Sequence, residues 1–160
     1  MLNKFGIKSW LTSDVSSKYT VNGFPYFGKD EERESPIPLG EFIAFKLAEP
    51  YTGHGRNITV DNFFTSASLV SKLLAKRTTL VGTIRRNKKE LLNLAKQAKN
   101  GMTKFLTILY KSKDFIFTTY KSKLNKKVFI LSSMYLSVEV KKNEPCIPET
   151  IRFLIAQILV

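Results

Sequence analysis

The chain has 160 residues, of which 43% are hydrophobic and 24% are charged. This length and composition are typical of one globular domain and exclude a disordered, collagen-like or disulfide-rich protein. The single cysteine, Cys146, and the single histidine, His54, exclude an intramolecular disulfide and a zinc site built from several cysteines and histidines. No apolar run is long enough to span a bilayer and the first residues do not resemble a signal peptide, so we expect an intracellular protein with no membrane partner.

The charge is strongly positive and unevenly distributed. The chain carries 26 basic and 13 acidic residues, and the stretch 72–127 holds 16 of the basic residues and two of the acidic ones. Such a stretch favours a polyanionic partner such as nucleic acid. The alternative is that these side chains only keep helix and strand faces soluble. The charge alone favours neither interpretation over the other.

The first fifty residues predict a hairpin followed by a helix. Extended patterns over 5–15 and 18–21 predict two strands, and the Asn-Gly pair at 22–23 predicts a turn after the second strand. Apolar residues at helical spacing over 40–49 predict a helix that ends before Pro50, because the residue before a proline disfavours helical geometry.

The middle of the chain alternates strands and helices. β-Branched residues over 57–60 predict a strand, and the helix after it is capped by Thr65 or Ser66. A strand is predicted over 79–84 and a second helix over 87–101. This alternation predicts an α/β fold.

From Thr103 onward the apolar residues alternate with a period of two. Four short segments with this pattern, separated by turns rich in lysine and serine, predict an antiparallel meander. The fold class is therefore α/β in the broad sense, including an α+β part. Aromatic residues interleave with the lysines of these strands and could stack on bases, but at strand period we expect them to lie in the core.

Asp61 is the first candidate for a catalytic residue. It directly follows the strand at 57–60 and precedes a helix, which is where α/β sheets present ligands. Carboxylates at such positions hold Mg²⁺ in two-metal enzymes that act on nucleic acids. An aspartate followed by asparagine is nevertheless more often a turn or capping residue, so spacing alone favours that role. Asp14 and His54 are weaker candidates.

A basic cluster follows the strand at 79–84 and opens the next predicted helix. Its side chains and the helix N-terminal amides could face phosphate together. The alternative is a solvated helix start, and the charge of the whole stretch moves the balance slightly toward phosphate. The cluster consists of Arg85, Arg86, Lys88 and Lys89.

One block of consecutive residues, Gly55 to Ser66, reads GRNITVDNFFTS and resembles the piggyBac transposase family and its transposable-element-derived relatives. Further segments match the family in the same order, and together they cover about 150 of the 160 residues. They are FGIKSWLTSD from Phe5, YTVNGFPYFGKD from Tyr19, PLGEF from Pro38, LVGTIRRNKKEL from Leu80, YKSKLNKKV from Tyr120, LSSM from Leu131 and PETIRF from Pro148.

The resemblance implies a ribonuclease-H-like catalytic core that cuts and joins DNA with three aspartates and two metal ions. It assigns 1–84 to part of this core, 85–147 to a basic, largely β insertion, and 148–160 to a truncated return to the core with a divergent apolar tail. Asp61 corresponds to the second aspartate. The first is expected upstream and the third downstream of the present sequence, so we expect a core truncated at both ends.

The resemblance therefore predicts a transposase-derived fragment that is not an enzyme by itself. A lone carboxylate binds Mg²⁺ too weakly for two-metal chemistry, so Asp61 would be a vestigial metal position. No cofactor is expected for the fragment, although the intact family uses Mg²⁺. The expected partner is DNA, contacted by the basic cluster, and the expected location is the nucleus.

Two further expectations follow. The alternative function is a repurposed basic DNA-binding or interaction module. The apolar tail 153–160 departs from the family pattern, so we expect it not to pack against this core and to favour self-association.

Overall fold

The computed structural model describes residues 6–28, 36–85, 88, 107–123, 126–135 and 148–158. This part of the chain forms a two-stranded hairpin, a five-stranded sheet and three α-helices. The elements in chain order are β1 (Lys8–Ser13), β2 (Thr20–Tyr26), α1 (Leu39–Ala48), β3 (Asn57–Val60), α2 (Ala67–Ala75), β4 (Thr79–Thr83), β5 (Thr107–Lys111), β6 (Ile116–Lys123), β7 (Lys126–Ser132) and α3 (Glu149–Ile158).

The larger sheet has the strand order β3-β4-β7-β6-β5. Strands β3 and β4 are parallel, with Asn57 opposite Thr79, and every other neighbouring pair is antiparallel. The predicted mixed α/β class is thereby confirmed. The three meander strands share one sheet with β3 and β4.

The hairpin of β1 and β2 turns at the junction of the two predicted strands, but the turn predicted after the second strand does not form. The Asn-Gly pair at 22–23 lies inside β2, and the chain reverses between Asp14 and Tyr19. Asp14 Oδ2 closes this turn by accepting from the N–H of Ser17 at 2.7 Å and from its hydroxyl at 2.8 Å. Asn22 is held in the strand because its Nδ2 donates to the carbonyl of Leu47 in α1 at 3.1 Å.

Helices α1 and α2 confirm the two helix predictions made for this region. Helix α1 ends at Ala48, and Pro50 lies in a 3-10 turn, Glu49–Tyr51, that follows it. Helix α2 packs on β4, α1 packs on α2 and β1, and both helices contribute to the main apolar cluster of the larger sheet. The buried members are Ala44, Ala48, Leu69, Val70, Leu73, Leu80, Ile84, Phe117, Phe129 and Leu131.

Aromatic residues of the meander lie in the core, as expected. Phe117 and Tyr120 are buried, and Phe117 stacks on Phe129 with ring centroids 6.0 Å apart. These rings stabilise the sheet and are not available to stack on bases.

The expectation that the apolar tail does not pack against the core is wrong for its described part. Phe153 and Leu154 belong to α3, and Leu154 is buried together with Ile151 in a second cluster that contains Val81 and Tyr120. Ile151 and Leu154 are three residues apart and so lie on one face of α3, which packs on the sheet.

Two predicted elements fall outside the described residues: the helix over 87–101, apart from Lys88, and the last meander segment at 136–140. Within the described part of the chain, no helix has the length and apolarity needed to cross a membrane.

Candidate functional site

Asp61 is exposed at the carboxyl end of β3, where the chain turns toward α2. Its Oδ1 accepts a hydrogen bond from the N–H of Phe63 at 2.8 Å. Its backbone carbonyl accepts from Thr65, from the N–H at 3.2 Å and from the hydroxyl at 2.7 Å. Asp61 therefore has the turn-forming role that its spacing favours, and one of its carboxylate oxygens takes part in the turn.

Ser66, one of the two predicted caps, begins α2. Its Oγ accepts from the N–H of Leu69 at 3.0 Å and donates to Glu41 Oε2 at 2.9 Å. Glu41, on α1, also accepts from the hydroxyl of Ser68 and forms an ion pair with Lys72 at 2.8 Å. Burial raises the pKa of Glu41, but the hydrogen bonds from Lys72, Ser68 and Ser66 outweigh it and leave this pKa below its usual value. This buried cluster fixes α2, and with it the turn that carries Asp61, against α1.

Gly82 allows the turn after Asp61 to lie directly on β4. A Cβ added at Gly82 would come within 2.5 Å of Thr65 Oγ1 and 2.8 Å of the Val60 carbonyl oxygen. No larger residue fits there without moving the turn. A glycine inside a strand signals such close approach, but the sequence does not show which segment approaches it.

Arg85 is brought to the same edge of the sheet, directly after β4. Its Nε donates to Asn62 Oδ1 at 2.8 Å, and its guanidinium carbon lies 5.9 Å from the centroid of the Phe63 ring. The structure thus joins two candidates from the sequence, Asp61 and Arg85, through the two residues that follow Asp61. The backbone N–H of Lys88, which is half-buried, donates to the Arg85 carbonyl at 3.2 Å. Arg86 and Lys89 lie outside the described residues.

Sequence reasoning missed Trp10 and Lys8 as neighbours of this site. The Trp10 ring stacks on Phe63 with centroids 5.9 Å apart and planes inclined by 8°, and it meets Phe64 edge-on. Lys8 Nζ lies 4.2 Å from the Trp10 ring centroid, within range of a cation–π interaction. The available signal was their spacing, because residues two apart on a strand share a face.

A groove of about 680 Å³ lies beside Asp61, between β1 and β3. Asp14 also lines it, but the carboxylate of Asp14 is occupied by Ser17. These hydrogen bonds from Ser17, and to a smaller extent the charge of Arg56, hold the pKa of Asp14 below its usual value. His54 lies in an exposed loop between two glycines with positive φ and is not among the residues that line the groove.

The described donor groups do not fit a magnesium site. Among the described residues, no three histidine, cysteine, aspartate or glutamate side chains lie close enough together to hold a metal ion. Mg²⁺ bound by protein needs more than one well-placed oxygen ligand, and Asp61 supplies one carboxylate that is already engaged in a turn. Its assignment as a metal ligand stays a prediction.

Comparison with known proteins identifies the family. The family described as Transposase IS4 matches residues 1–152, which is nearly the whole chain. The chain belongs to this transposase family. No curated protein sequence matches it.

A solved structure agrees with this membership of a transposase family. The chain is 30% identical to a protein whose structure is described as a cryo-EM structure of the piggyBac transposase synaptic complex with hairpin DNA, and the TM-score is 0.84. The match covers 98% of this chain and 33% of that one, so the present transposase domain spans about a third of the length of its relative. The resemblance to piggyBac transposases inferred from the sequence is confirmed.

Proposed function

We propose that this chain is part of a piggyBac-like transposase core that contacts DNA at the edge carrying Asp61 and Arg85 and does not cleave DNA by itself. In this proposal the fold is a partial ribonuclease-H-like core with a β-rich insertion. The similarity to a transposase whose structure is a complex with hairpin DNA supports the choice of partner.

The observation that carries the proposal is the position of Arg85 beside the Asp61 turn. Two contacts fix the guanidinium group. Its Nε donates to the side chain of Asn62, and the group lies over the Phe63 ring. A guanidinium has five N–H donors, so the remaining ones can meet a phosphate in a geometry that is already set. Lys8 adds a second positive charge where Trp10 stacks on Phe63.

Two basic residues of the stretch 72–127 form ion pairs within the fold and contribute less to a DNA-binding face. Lys72 is paired with Glu41, and Lys76 is paired with Glu49 at 2.9 Å. Their charges are partly neutralised within the fold.

The lack of cleavage is proposed because the described donors around Asp61 supply one carboxylate. We expect that neither the purified chain nor its Asp61→Ala variant cuts DNA hairpins or supercoiled plasmid in the presence of Mg²⁺ or Mn²⁺. Gel electrophoresis measures the nicked product. Nicking by the original chain that Asp61→Ala abolishes would show that the chain is an enzyme.

DNA contact is tested by the salt dependence of binding to a fluorescent hairpin oligonucleotide. We expect Arg85→Ala to weaken binding about 3- to 10-fold and to reduce the slope of log K against log salt by about one, as loss of one phosphate contact does. The control is Lys18→Gly, which removes one charge from the β1–β2 turn at a residue whose φ of 63° suits glycine. Compared with Arg85→Ala, Arg85→Lys should restore part of the slope of log K against log salt and a smaller part of the affinity for DNA.

The outcomes separate the candidate functions. If Arg85→Ala and Lys18→Gly have equal effects, the contact is diffuse, and the basic interaction module predicted from the charge of 72–127 becomes the better account. If the chain does not bind DNA even at low salt, DNA contact is wrong. Because the proposed partner is DNA, we also propose a nuclear location, which microscopy of a fluorescent fusion tests.

A further inference from the structure

One face of the β1–β2 hairpin carries a row of aromatic rings. Side chains directly opposite each other on paired strands share a face, and Trp10 lies opposite Phe24. Tyr26, opposite Lys8, is two residues from Phe24 and so shares that face, and its ring meets the Trp10 ring edge-on with centroids 5.8 Å apart. The three aromatic residues are half-buried, so part of each ring is accessible to a ligand.

Helix α1 extends this row of rings. Phe42 and Lys46 are four residues apart on α1 and lie on the same side of the helix. The Lys46 Nζ lies 5.1 Å from the centroid of the Phe24 ring and 5.6 Å from that of the Phe42 ring. Lys46 thus links a ring on the helix to a ring on the hairpin. We call the surface formed by these residues the aromatic strip: Lys8, Trp10, Phe24, Tyr26, Phe42 and Lys46.

Both lysines of the aromatic strip lie over rings. Lys8 Nζ is 4.2 Å from the centroid of the Trp10 ring and 5.2 Å from that of the Tyr26 ring. With the two contacts of Lys46, one surface holds four cation–π contacts. Energetically significant contacts of this kind occur only about once per 70–80 residues of a protein. The aromatic strip therefore combines accessible rings with positive charge to an unusual degree.

This combination matches the chemistry of an unpaired nucleotide. Its base is flat and stacks on an aromatic side chain, and its phosphate is attracted to an ammonium group. A base inside a duplex is already stacked on its neighbours, so an unpaired strand is the form that can use the rings. Stacking of a base on a ring is stronger than a cation–π contact at an exposed site. A base can therefore displace a lysine from its ring, and the lysine then meets the phosphate.

The aromatic strip adjoins the edge that carries Arg85. Trp10 stacks on Phe63, and the guanidinium carbon of Arg85 lies 5.9 Å from the centroid of the Phe63 ring. The strip therefore begins beside the place where we propose contact with DNA. A strand that leaves a duplex at that edge would meet the strip next.

We propose that the aromatic strip binds single-stranded DNA, with bases stacked on its rings and phosphates held by Lys8 and Lys46. Every base has a flat face, so the sequence of the strand should matter little. The choice of DNA over RNA rests on the function proposed above. The stacking itself does not depend on the contact at Arg85.

The test uses the unaltered chain and two single strands of equal length and equal charge. One is a short oligothymidylate, and the other carries abasic tetrahydrofuran units in place of the thymidines. The second strand keeps the phosphates and lacks every base. We expect the oligothymidylate to bind at least about tenfold more tightly in fluorescence anisotropy, because only its bases can stack. Equal affinity of the two strands would overturn the proposal.

Trp10 reports binding directly, because it is the single tryptophan of the chain. A base stacked on the strip should quench the fluorescence of its indole ring. We expect quenching by the oligothymidylate, with the same midpoint as the anisotropy, and none by the abasic strand. Binding of the oligothymidylate without quenching would show that the strand lies elsewhere.

A matched pair of variants tests the place of binding. Phe24→Leu removes a ring of the strip and keeps an apolar side chain. Phe27→Leu is the control, since Phe27 is 87% exposed, directly follows β2 and does not belong to the strip. We expect Phe24→Leu to weaken binding of the oligothymidylate at least about threefold and Phe27→Leu to leave it unchanged. Equal effects of the two, with circular dichroism showing both folded, would contradict this placement.

A fully paired duplex separates this proposal from the contact at Arg85. We expect Arg85→Ala to weaken binding of the duplex and Phe24→Leu to leave it unchanged. If Arg85→Ala acts as expected but the two single strands bind equally, the aromatic strip is wrong and the duplex contact stands. If the oligothymidylate binds by stacking but the duplex does not bind, the duplex contact is wrong and the strip stands. Tighter binding of oligouridylate RNA than of the oligothymidylate would overturn the choice of DNA.

Discussion

Glu41 is the buried charged residue on which the position of α2 depends. We expect Glu41→Gln to lower the free energy of unfolding at pH 7 by about 1–3 kcal/mol, because it removes the ion pair with Lys72 and weakens two hydrogen bonds in a buried site. Urea denaturation measures the difference. Ser71→Ala, at an exposed position of the same helix, is the control.

The pH dependence of this difference follows from the lowered pKa of Glu41. The folded state holds the carboxylate more strongly than the unfolded state, so its contribution is present above the unfolded pKa of 4.5 and is lost as pH falls through the lower folded pKa. The difference in the free energy of unfolding between the original chain and Glu41→Gln should therefore become smaller below about pH 4.5. A gap that stays constant from pH 7 to pH 3 would contradict this role.

Gly82 supports the turn after Asp61 by having no side chain. We expect Gly82→Ala to lower the free energy of unfolding by about 1–3 kcal/mol, because the added Cβ meets Thr65 and the backbone of Val60. Thermal denaturation measures the loss. Ala75→Gly, at the exposed end of α2, should cost less, about 1 kcal/mol.

Individual site residues were predictable where a local rule applies. Asp61 follows a strand and Ser66 precedes a helix, and both positions can be read from neighbouring residues. The pairing of Glu41 with Lys72 and the stacking of Trp10 on Phe63 join residues far apart in sequence, which no local spacing indicates.

Two hydrogen bonds attach the β1–β2 hairpin to α1 and to the turn that follows it. Asn22 bonds to the carbonyl of Leu47, and the Tyr51 hydroxyl donates to the carbonyl of Val21 at 2.6 Å. We expect Tyr51→Phe to speed hydrogen exchange of β1 and β2 amides about 2- to 10-fold, since one hydrogen bond is worth about 0.5–1.5 kcal/mol. Amides of β6 should not change, and equal acceleration throughout the chain would show global destabilisation instead.

Periodicity predicted the described helices α1 and α2 and the strands β3 and β4 closely. It failed at the Asn-Gly pair, because turn propensity is local and the side chain of Asn22 is instead anchored to α1. The turn of the hairpin lies at the junction of the predicted strands 5–15 and 18–21, and Asp14 and Ser17 close it.

At the scale of the whole molecule, α3 completes the core on one side of the larger sheet. We expect Leu154→Ala to lower the free energy of unfolding by about 2–4 kcal/mol, because Leu154 is buried beside Val81, Tyr120 and Ile130. Leu154→Met should cost less than about 1.5 kcal/mol.

Deleting the residues after Arg152 should then reduce soluble yield in expression trials. A higher yield would favour the expectation from the sequence that the tail does not pack against the core.

The mixed α/β class could be predicted from alternating periods, but the strand order could not. The pairing of β4 with β7 depends on the apolar surface of the whole sheet, and no motif next to β4 in the sequence indicates it. The groove between β1 and β3 was likewise invisible, because its walls come from segments that are far apart along the chain.

The position of β4 between β3 and β7 also bears on how the molecule folds. Ser133, just after β7, accepts from the N–H of Leu80 at 2.9 Å, across 53 residues of chain. The strands β5, β6 and β7 are local neighbours and can pair quickly, whereas joining them to β4 requires closure of a long loop before any contact compensates for the lost entropy. Docking of a preformed three-stranded unit onto β4 is therefore expected to limit the refolding rate.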